Sequence, residues 1–480
     1  MGFRRTLAAR FHLELVTRFR PQWARGQKTG GRARTGRGRS VASQQLTFES
    51  GRRTRAFEVR KTWIMRHNSR ARRRSLFLIG ALAGVAFLGG SALLSRSQTP
   101  ESDTTREIAP GLTLRSVIAQ TPQGPLRYWL VKAKPDVFRL GLEIPDSSNV
   151  QKKRTVRALA AQSGALVAVN GGFFAYGGAA VGAVKVGGTW QRLPWKSRTA
   201  LGWNSATDAQ IGPLSGVCQL RIETPDGRVQ LQSAALNGFA LPGTRAEIID
   251  GFAVLTPMFA RKYPLRTGEI ALIIPPTGTS ATGTFATGTS ATGTSAINSM
   301  VSSAVTVQTT GDVDLQAARF VVIARGQAAS GLDATRPPRF SYSVQTSPDW
   351  NGFANILGAG PRLIQNGRIK TTEIEEEFRP DVLARGPRTS MGWDSERNWL
   401  LLVADGRSAS SVGLTLPEAA QLLGQLGAVE AMNLDGGSST QLVVGGELVN
   451  TPSGLDPVNP TRPREVQVIN ALTLKAQAAP

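Results

Sequence analysis

The stretch Trp399–Leu442, WLLLVADGRSASSVGLTLPEAAQLLGQLGAVEAMNLDGGSSTQL, decides the reading of this chain. Trp399 to Ala404 is a nearly continuous apolar run, the pattern of a strand buried on both faces. Thr415-Leu416-Pro417-Glu418 has the T-x-x-E spacing of a capping box, with a proline in the first turn. Leu416, Ala419, Ala420, Leu422, Leu423 and Leu426 then keep to one helical face, and Gly427 suits the carboxyl-terminal cap. Ala428 to Leu434 reads as a second strand. Strand, helix and strand form a βαβ unit, so the two strands are expected to lie parallel in one sheet. Asp405-Gly406-Arg407 and Asp435-Gly436-Gly437-Ser438-Ser439 would then meet at the carboxyl-terminal edge, where open α/β sheets bind ligands.

The composition narrows the chemistry. The net charge of +24 points to nucleic acid until it is located: residues 1–75 hold 21 Lys/Arg against 3 Asp/Glu, a net of +18. The remainder shows little sign of a basic patch, so no nucleic-acid partner is expected of it. Both histidines, His12 and His67, fall in that basic segment. For one chain acting alone, this disfavours a Ser-His-Asp triad, His-ligated zinc and a histidine base. The single cysteine, Cys218, excludes an intrachain disulfide and makes structural zinc implausible. Carboxylates, Arg/Lys, hydroxyls, amides or an oxygen-ligated metal are left to do the work.

Residues 1–64 read as a basic disordered arm, or as a stretch upstream of the native start. Met65 opens MRHNSRARRRSLFLIGALAGVAFLGGSALL, with the basic start and apolar run of an export signal. Residues 76–94 carry no charge and are long enough to cross a bilayer, behind Arg70, Arg72, Arg73 and Arg74. Residues 65–95 are therefore expected to be a signal anchor and transmembrane helix, contacting the membrane through 76–94. Residues 96–107 form a tether, and the domain faces the outer, periplasmic or extracytoplasmic, side.

The folded part is expected over 108–476. Gly111–Ile118, Leu126–Lys132 and Phe138–Ile144 read as strands between turn residues, and Thr155–Ser163 as a helix ended by Gly164. Ala165–Val169 makes a strand running into Asn170-Gly171-Gly172-Phe173-Phe174. Residues 277–296 are four copies of a five-residue polar unit, read as an insertion in a loop. Two patterns recur: RTALGWN (198–204) is echoed by RTSMGWD (388–394), and GALVAVN (164–170) by GAVEAMN (427–433). The fold class expected is α+β, with mixed, largely antiparallel sheets, few helices and one βαβ unit carrying the site.

VNGGFF (169–174), GAGPRLIQNG (358–367), RTSMGWD (388–394), LLVADGR (401–407), GLTLPEAAQLLGQLGAVEAMNLDGGSST (413–440) and the tail NTPSG…RPREVQVINAL together resemble the phosphodiester glycosidase family. The resemblance runs from about Val117 to Lys475, with the low-complexity insertion as the main departure. It implies hydrolysis of a sugar-1-phosphodiester to free sugar and a phosphomonoester, on cell-envelope or exported glycans. The residues suit that reaction, because cleavage at an anomeric carbon builds positive charge that a carboxylate can stabilise, attack or relieve by activating water. Asp435 is the first candidate and Asp405 the second; the alternative for Asp405-Gly406 is a simple turn. Arg388 and Arg407 can each offer a planar fork to phosphate oxygens, with Arg198 in the echo position as a third. Backbone N–H groups of Gly436, Gly437, Ser438 and Ser439 are candidates for an anion nest, and the two hydroxyls for donors. Asn170 is a candidate for sugar hydroxyls, or for a metal shared with Asp435. No cofactor is certain, and Ca²⁺ or Mg²⁺ is an option that no EF-hand-like spacing supports. The alternative function is a non-catalytic polysaccharide-binding envelope protein on the same scaffold.

Overall fold

The computed structural model describes residues 99–175, 177–240, 247–276, 305–459 and 461–477. The helix that anchors the sequence reading is present as Leu416–Gln425. The Thr415 hydroxyl accepts the Glu418 N–H while the Glu418 carboxylate accepts the Thr415 N–H at 2.8 Å, closing the capping box. Leu416, Ala419, Ala420, Leu422 and Leu423 are buried and pack with Leu363, Ile364, Leu400 and Leu402. The helix thereby covers one face of an eight-stranded sheet.

That sheet runs in the order Thr99–Ala109, Leu112–Thr121, Gly124–Ala133, Trp399–Ala404, Arg388–Asp394, Ala428–Asn433, Arg362–Gln365, Arg368–Ile369. Every neighbouring pair is antiparallel, and the tether expected over 96–107 is corrected, since Thr99–Ala109 pairs with Leu112–Thr121 as a strand of this sheet. The strands that flank the helix do not pair with each other. Arg388–Asp394 lies between them and runs antiparallel to both, so the expected βαβ unit is corrected to a crossover with a third strand inserted. The physical reason is that a helical crossover fixes strand direction but not adjacency, and the preceding strand supplies a short antiparallel partner.

A five-stranded antiparallel sheet, Glu447–Leu448, Leu442–Val444, Val167–Asn170, Ala471–Ala476 and Phe138–Glu143, contributes to the same core. Leu112, Trp129, Met391 and Leu401 from the first sheet meet Phe138, Val169, Leu442 and Leu472 from the second. The echoed tryptophans, Trp203 and Trp393, enter this cluster together. An eleven-stranded sheet built mostly from 184–274 and 306–358 carries two further apolar clusters. Its pairing of Ala234–Leu236 with Phe252–Val254 is parallel. The described residues are thus mostly β, in several largely antiparallel sheets with few helices as expected, and the α+β class gives way to a mainly β architecture.

The expected transmembrane helix and signal anchor have no counterpart among the described residues. Among the described residues no helix is long and apolar enough to cross a membrane. Residues 76–94, the basic arm at 1–64 and the repeat at 277–296 lie outside the described residues.

Because the helix is held by its cap as well as by its apolar face, Thr415→Ala should destabilise the domain by about 1 kcal/mol. Urea unfolding of the variant beside wild type measures this. An unchanged midpoint would show that the cap contributes nothing.

Candidate active site

Two strand ends deliver the chemistry-bearing loops, and they do so unequally. Trp399–Ala404 ends in Asp405-Gly406-Arg407, and Ala428–Asn433 ends in Leu434-Asp435 before one 3₁₀ turn, Gly437–Ser439. The second loop passes close over Pro387, at the start of the RTSMGWD strand. A Cβ on Gly436 would stand 2.9 Å from the Pro387 carbonyl, and Gly437 has φ +60° with its N–H on that same carbonyl at 3.0 Å. Side chains there would push the loop away from the cavity.

Asp435 is fixed from behind. Its N–H donates to the Gly171 carbonyl at 2.9 Å, and its own carbonyl accepts from the Asn170 amide. Its Oδ1 accepts the Gly436 N–H at 2.9 Å, and the Ser439 hydroxyl also donates to the carboxyl. Burial pushes this carboxyl up to about 7, against the downward pull of those two donors. A carboxylate in such surroundings gains most when a positive charge arrives beside it.

Asp435 lines a cavity of about 680 Å³ together with Arg198, Arg388, Arg407, Gly436, Gly437, Ser438 and Ser439. Eight of the ten residues expected at the site are therefore brought together. Arg388 is buried, its Nε donating to the Leu414 carbonyl at 2.9 Å and its Nη2 to that of Ala384 at 2.5 Å. Burial, and next the neighbouring Arg407 charge, hold its guanidinium down to about 10, still cationic at neutral pH. Arg407 adopts φ +60° and leans over Gly437, where a Cβ would stand 3.1 Å from its Nη1. Left-handed backbone at a bulky residue is strained and concentrates at functional sites.

Two expected residues are elsewhere. Asp405 is 2% exposed and does not reach the cavity. Its carboxyl accepts from Asn450 Nδ2 and the Thr451 N–H, each at 3.1 Å, which binds the strand end to the C-terminal segment. Burial raises this carboxyl, and these hydrogen bonds oppose the rise. Asn170 is fully buried, and its Oδ1 accepts from the Thr389 hydroxyl at 2.7 Å and the Gln441 N–H at 3.2 Å. With its amide also spent on Asp435, it has neither the exposure for sugar nor the free oxygen for a metal. Among the described residues no group of three or more His, Cys, Asp or Glu is gathered to hold an ion. The anion nest is also smaller than expected, since the N–H groups of Gly436, Gly437 and Ser439 are committed within the protein.

The sequence reading missed the opposite wall. Phe173 and Phe378 pack at a tilt of 50° with centroids 5.6 Å apart, and Arg198 lies over Phe378 at 4.2 Å and over Trp195 at 5.7 Å. Arg192 also lines the cavity, donating to the Asn237 carbonyl at 2.9 Å. Phe173 was visible inside VNGGFF, but Trp195 and Phe378 stand in segments without any pattern of their own.

Comparison with known proteins follows the same residues. The family model described as phosphodiester glycosidase matches residues 291–472. The N-acetylglucosamine-1-phosphodiester alpha-N-acetylglucosaminidase of Mus musculus is 30% identical over 184 residues, covering 36% of this chain and 34% of that protein. The Homo sapiens protein of the same name is 34% identical over 130 residues, covering 25% of each. The chain thus spans about a third or less of these curated relatives' own length. A hypothetical protein from Synechocystis shares the fold, with a TM-score of 0.59 at 24% identity over 78% of this chain and 64% of that one. The matched region holds Asp435, Arg388 and Arg407, so these charged residues of the cavity fall in the part of the chain that is similar to the phosphodiester glycosidase family.

Proposed function

We propose that this protein hydrolyses a sugar-1-phosphodiester at the glycosidic bond, releasing the sugar and a phosphomonoester. The observation that carries the reading is one carboxylate, Asp435, lining a cavity that Arg388 and Arg407 also line. Arginine forks suit phosphate oxygens, and a carboxylate suits an anomeric carbon that becomes cationic. Asp381 is the other acidic residue at the cavity, and it is paired with Arg379 at 3.1 Å.

Ordinary glycosidases use two carboxyl groups because an alcohol leaving group needs a proton. A phosphomonoester has a second pKa of about 6, so it departs at neutral pH as an anion without a dedicated acid. A single carboxylate is therefore enough. The C1–O bond breaks, its electrons stay with the phosphate under Arg388, Arg407 and the Ser438 N–H, and ionised Asp435 faces the anomeric carbon. Water completes the product at C1 and gives its proton to the carboxylate or the phosphate. Export of the domain, to act on envelope or secreted glycans, is supported by the basic start and apolar run that follow Met65.

Asp435→Asn should lower kcat on a sugar-1-phosphodiester on the order of 10³-fold, about 4 kcal/mol at 1.36 kcal/mol per tenfold. Near-normal turnover in a folded variant would remove Asp435 from the mechanism. In the wild type kcat/KM should rise with pH through about 7 as that carboxyl ionises. Ser439→Ala removes a donor that favours the ionised form, so the rising limb should move to higher pH; a stationary limb would separate Ser439 from the titration.

Arg407→Ala should raise KM roughly tenfold or more, the scale of a hydrogen bond to a charged group. Steady-state kinetics on the same substrate measure it, and an unchanged KM would place the phosphate elsewhere.

Asp435 also sets a stability profile. Its carboxyl titrates above the unfolded value, so its contribution to stability is complete below that value and lost as pH rises through about 7. Asp435→Asn should therefore raise Tm more at pH 8 than at pH 5. Equal shifts at the two pH values would contradict the raised carboxyl.

A further inference from the structure

The echo between RTALGWN (198–204) and RTSMGWD (388–394) has a structural counterpart that the cleavage chemistry does not use. Each segment is a strand whose tryptophan enters the common core and whose leading arginine lines the cavity. Arg388 stands beside Arg407 and the Asp435 loop. Arg198 stands on the aromatic wall, its guanidinium 4.2 Å from the Phe378 centroid and 5.7 Å from that of Trp195. Phe378 continues the wall to Phe173 at 5.6 Å. The Arg198 Nη2 also reaches the Glu377 carbonyl at 3.4 Å, and its charge acts together with Lys196 on the Glu377 carboxylate. Stacking engages the faces of a guanidinium and points its N–H edge at acceptors lying in its plane.

The charge count leads the same way. Five arginines, 192, 198, 379, 388 and 407, line the cavity against Asp381 and Asp435. One phosphodiester brings one negative charge, and Arg388 and Arg407 already answer it.

We infer that Arg198, held on Phe378 and Trp195, forms a second anion subsite. The substrate is then a sugar-1-phosphodiester bearing a further anionic group, as along a repeating sugar–phosphate chain. This assignment rests on the cleavage reading above and extends it to the substrate class.

The test uses four substrates that share one scissile sugar-1-phosphodiester. Their aglycones are methyl, propanol, propyl phosphate and a propyl carboxylate, assayed with the full chain. Wild type should favour the two charged aglycones in kcat/KM over propanol by at least tenfold. Arg198→Gln should cut that preference at least tenfold, mostly through KM, and Arg198→Lys should retain part of it. A preference for phosphate without carboxylate identifies the second group as phosphate; equal preference identifies any anion. No preference in wild type, or one that survives in Arg198→Gln, overturns the subsite. Should Arg198→Gln fail to fold, wild-type salt dependence decides: KM for the charged substrates should climb more steeply with ionic strength than KM for propanol, and parallel slopes overturn the subsite. Asp435→Asn assayed on the methyl substrate keeps the two readings apart. Retained cleavage there sinks the cleavage reading, whatever Arg198 does.

Discussion

The buried amide of Asn170 is the interaction on which the rest of the site depends. It ends the strand Val167–Asn170 of the five-stranded sheet and is fully enclosed. Its oxygen takes the Thr389 hydroxyl of the eight-stranded sheet and the Gln441 N–H, while its nitrogen donates to the Asp435 carbonyl. Two segments far apart in sequence, at Thr389 and at 435–441, are thus fastened to one side chain. A buried polar group without partners costs about 1–3 kcal/mol, so the partners hold each other in place. Asn470 reinforces the same junction by accepting the Gly172 N–H at 2.8 Å, and a Cβ on Gly171 would stand only 2.1 Å from its oxygen. The Asp435 backbone is therefore set by buried hydrogen bonds rather than by the exposed loop around it.

A second buried carboxylate organises the arginine of the opposite wall. Glu376 accepts the Thr199 N–H at 2.8 Å and its hydroxyl at 2.6 Å, and also takes the Arg362 N–H at 3.3 Å. Arg362 in turn pairs with Glu430 at 2.7 Å, within the strand that leads to Asp435. GAGPRLIQNG consequently serves as scaffold, joining the strand that starts at Arg198 to the strand that ends beside the carboxylate. Such pairs contribute little net stability over an apolar alternative, but losing one partner strands the other in the core.

The cavity itself is maintained at some cost to the fold. Asp435 is held where its ionised form is poorly solvated, Arg388 is buried next to another cation, and Arg407 sits at φ +60°. Each of these would be relieved by a simpler residue. Their concentration around one cavity is what a site selected for binding an anion beside a developing cation should look like.

The sequence by itself determined the local elements. Apolar spacing and the T-x-x-E cap located the helix at Leu416–Gln425, the apolar run located Trp399–Ala404, and the glycines after Asp435 marked a loop that approaches backbone closely. These features are legible because each depends on contacts within a few residues along the chain. Tertiary structure alone decided that Asp405 faces Asn450 and Thr451, that Asn170 is a fastening rather than a ligand, and that Trp195 and Phe378 build a wall with Arg198. It also put Arg388–Asp394 between two strands that the helix connects. Partners in these contacts are separated by tens to hundreds of residues, and hydrophobic periodicity records only which face of an element is buried. What that face is buried against is settled by packing among segments that share no local pattern.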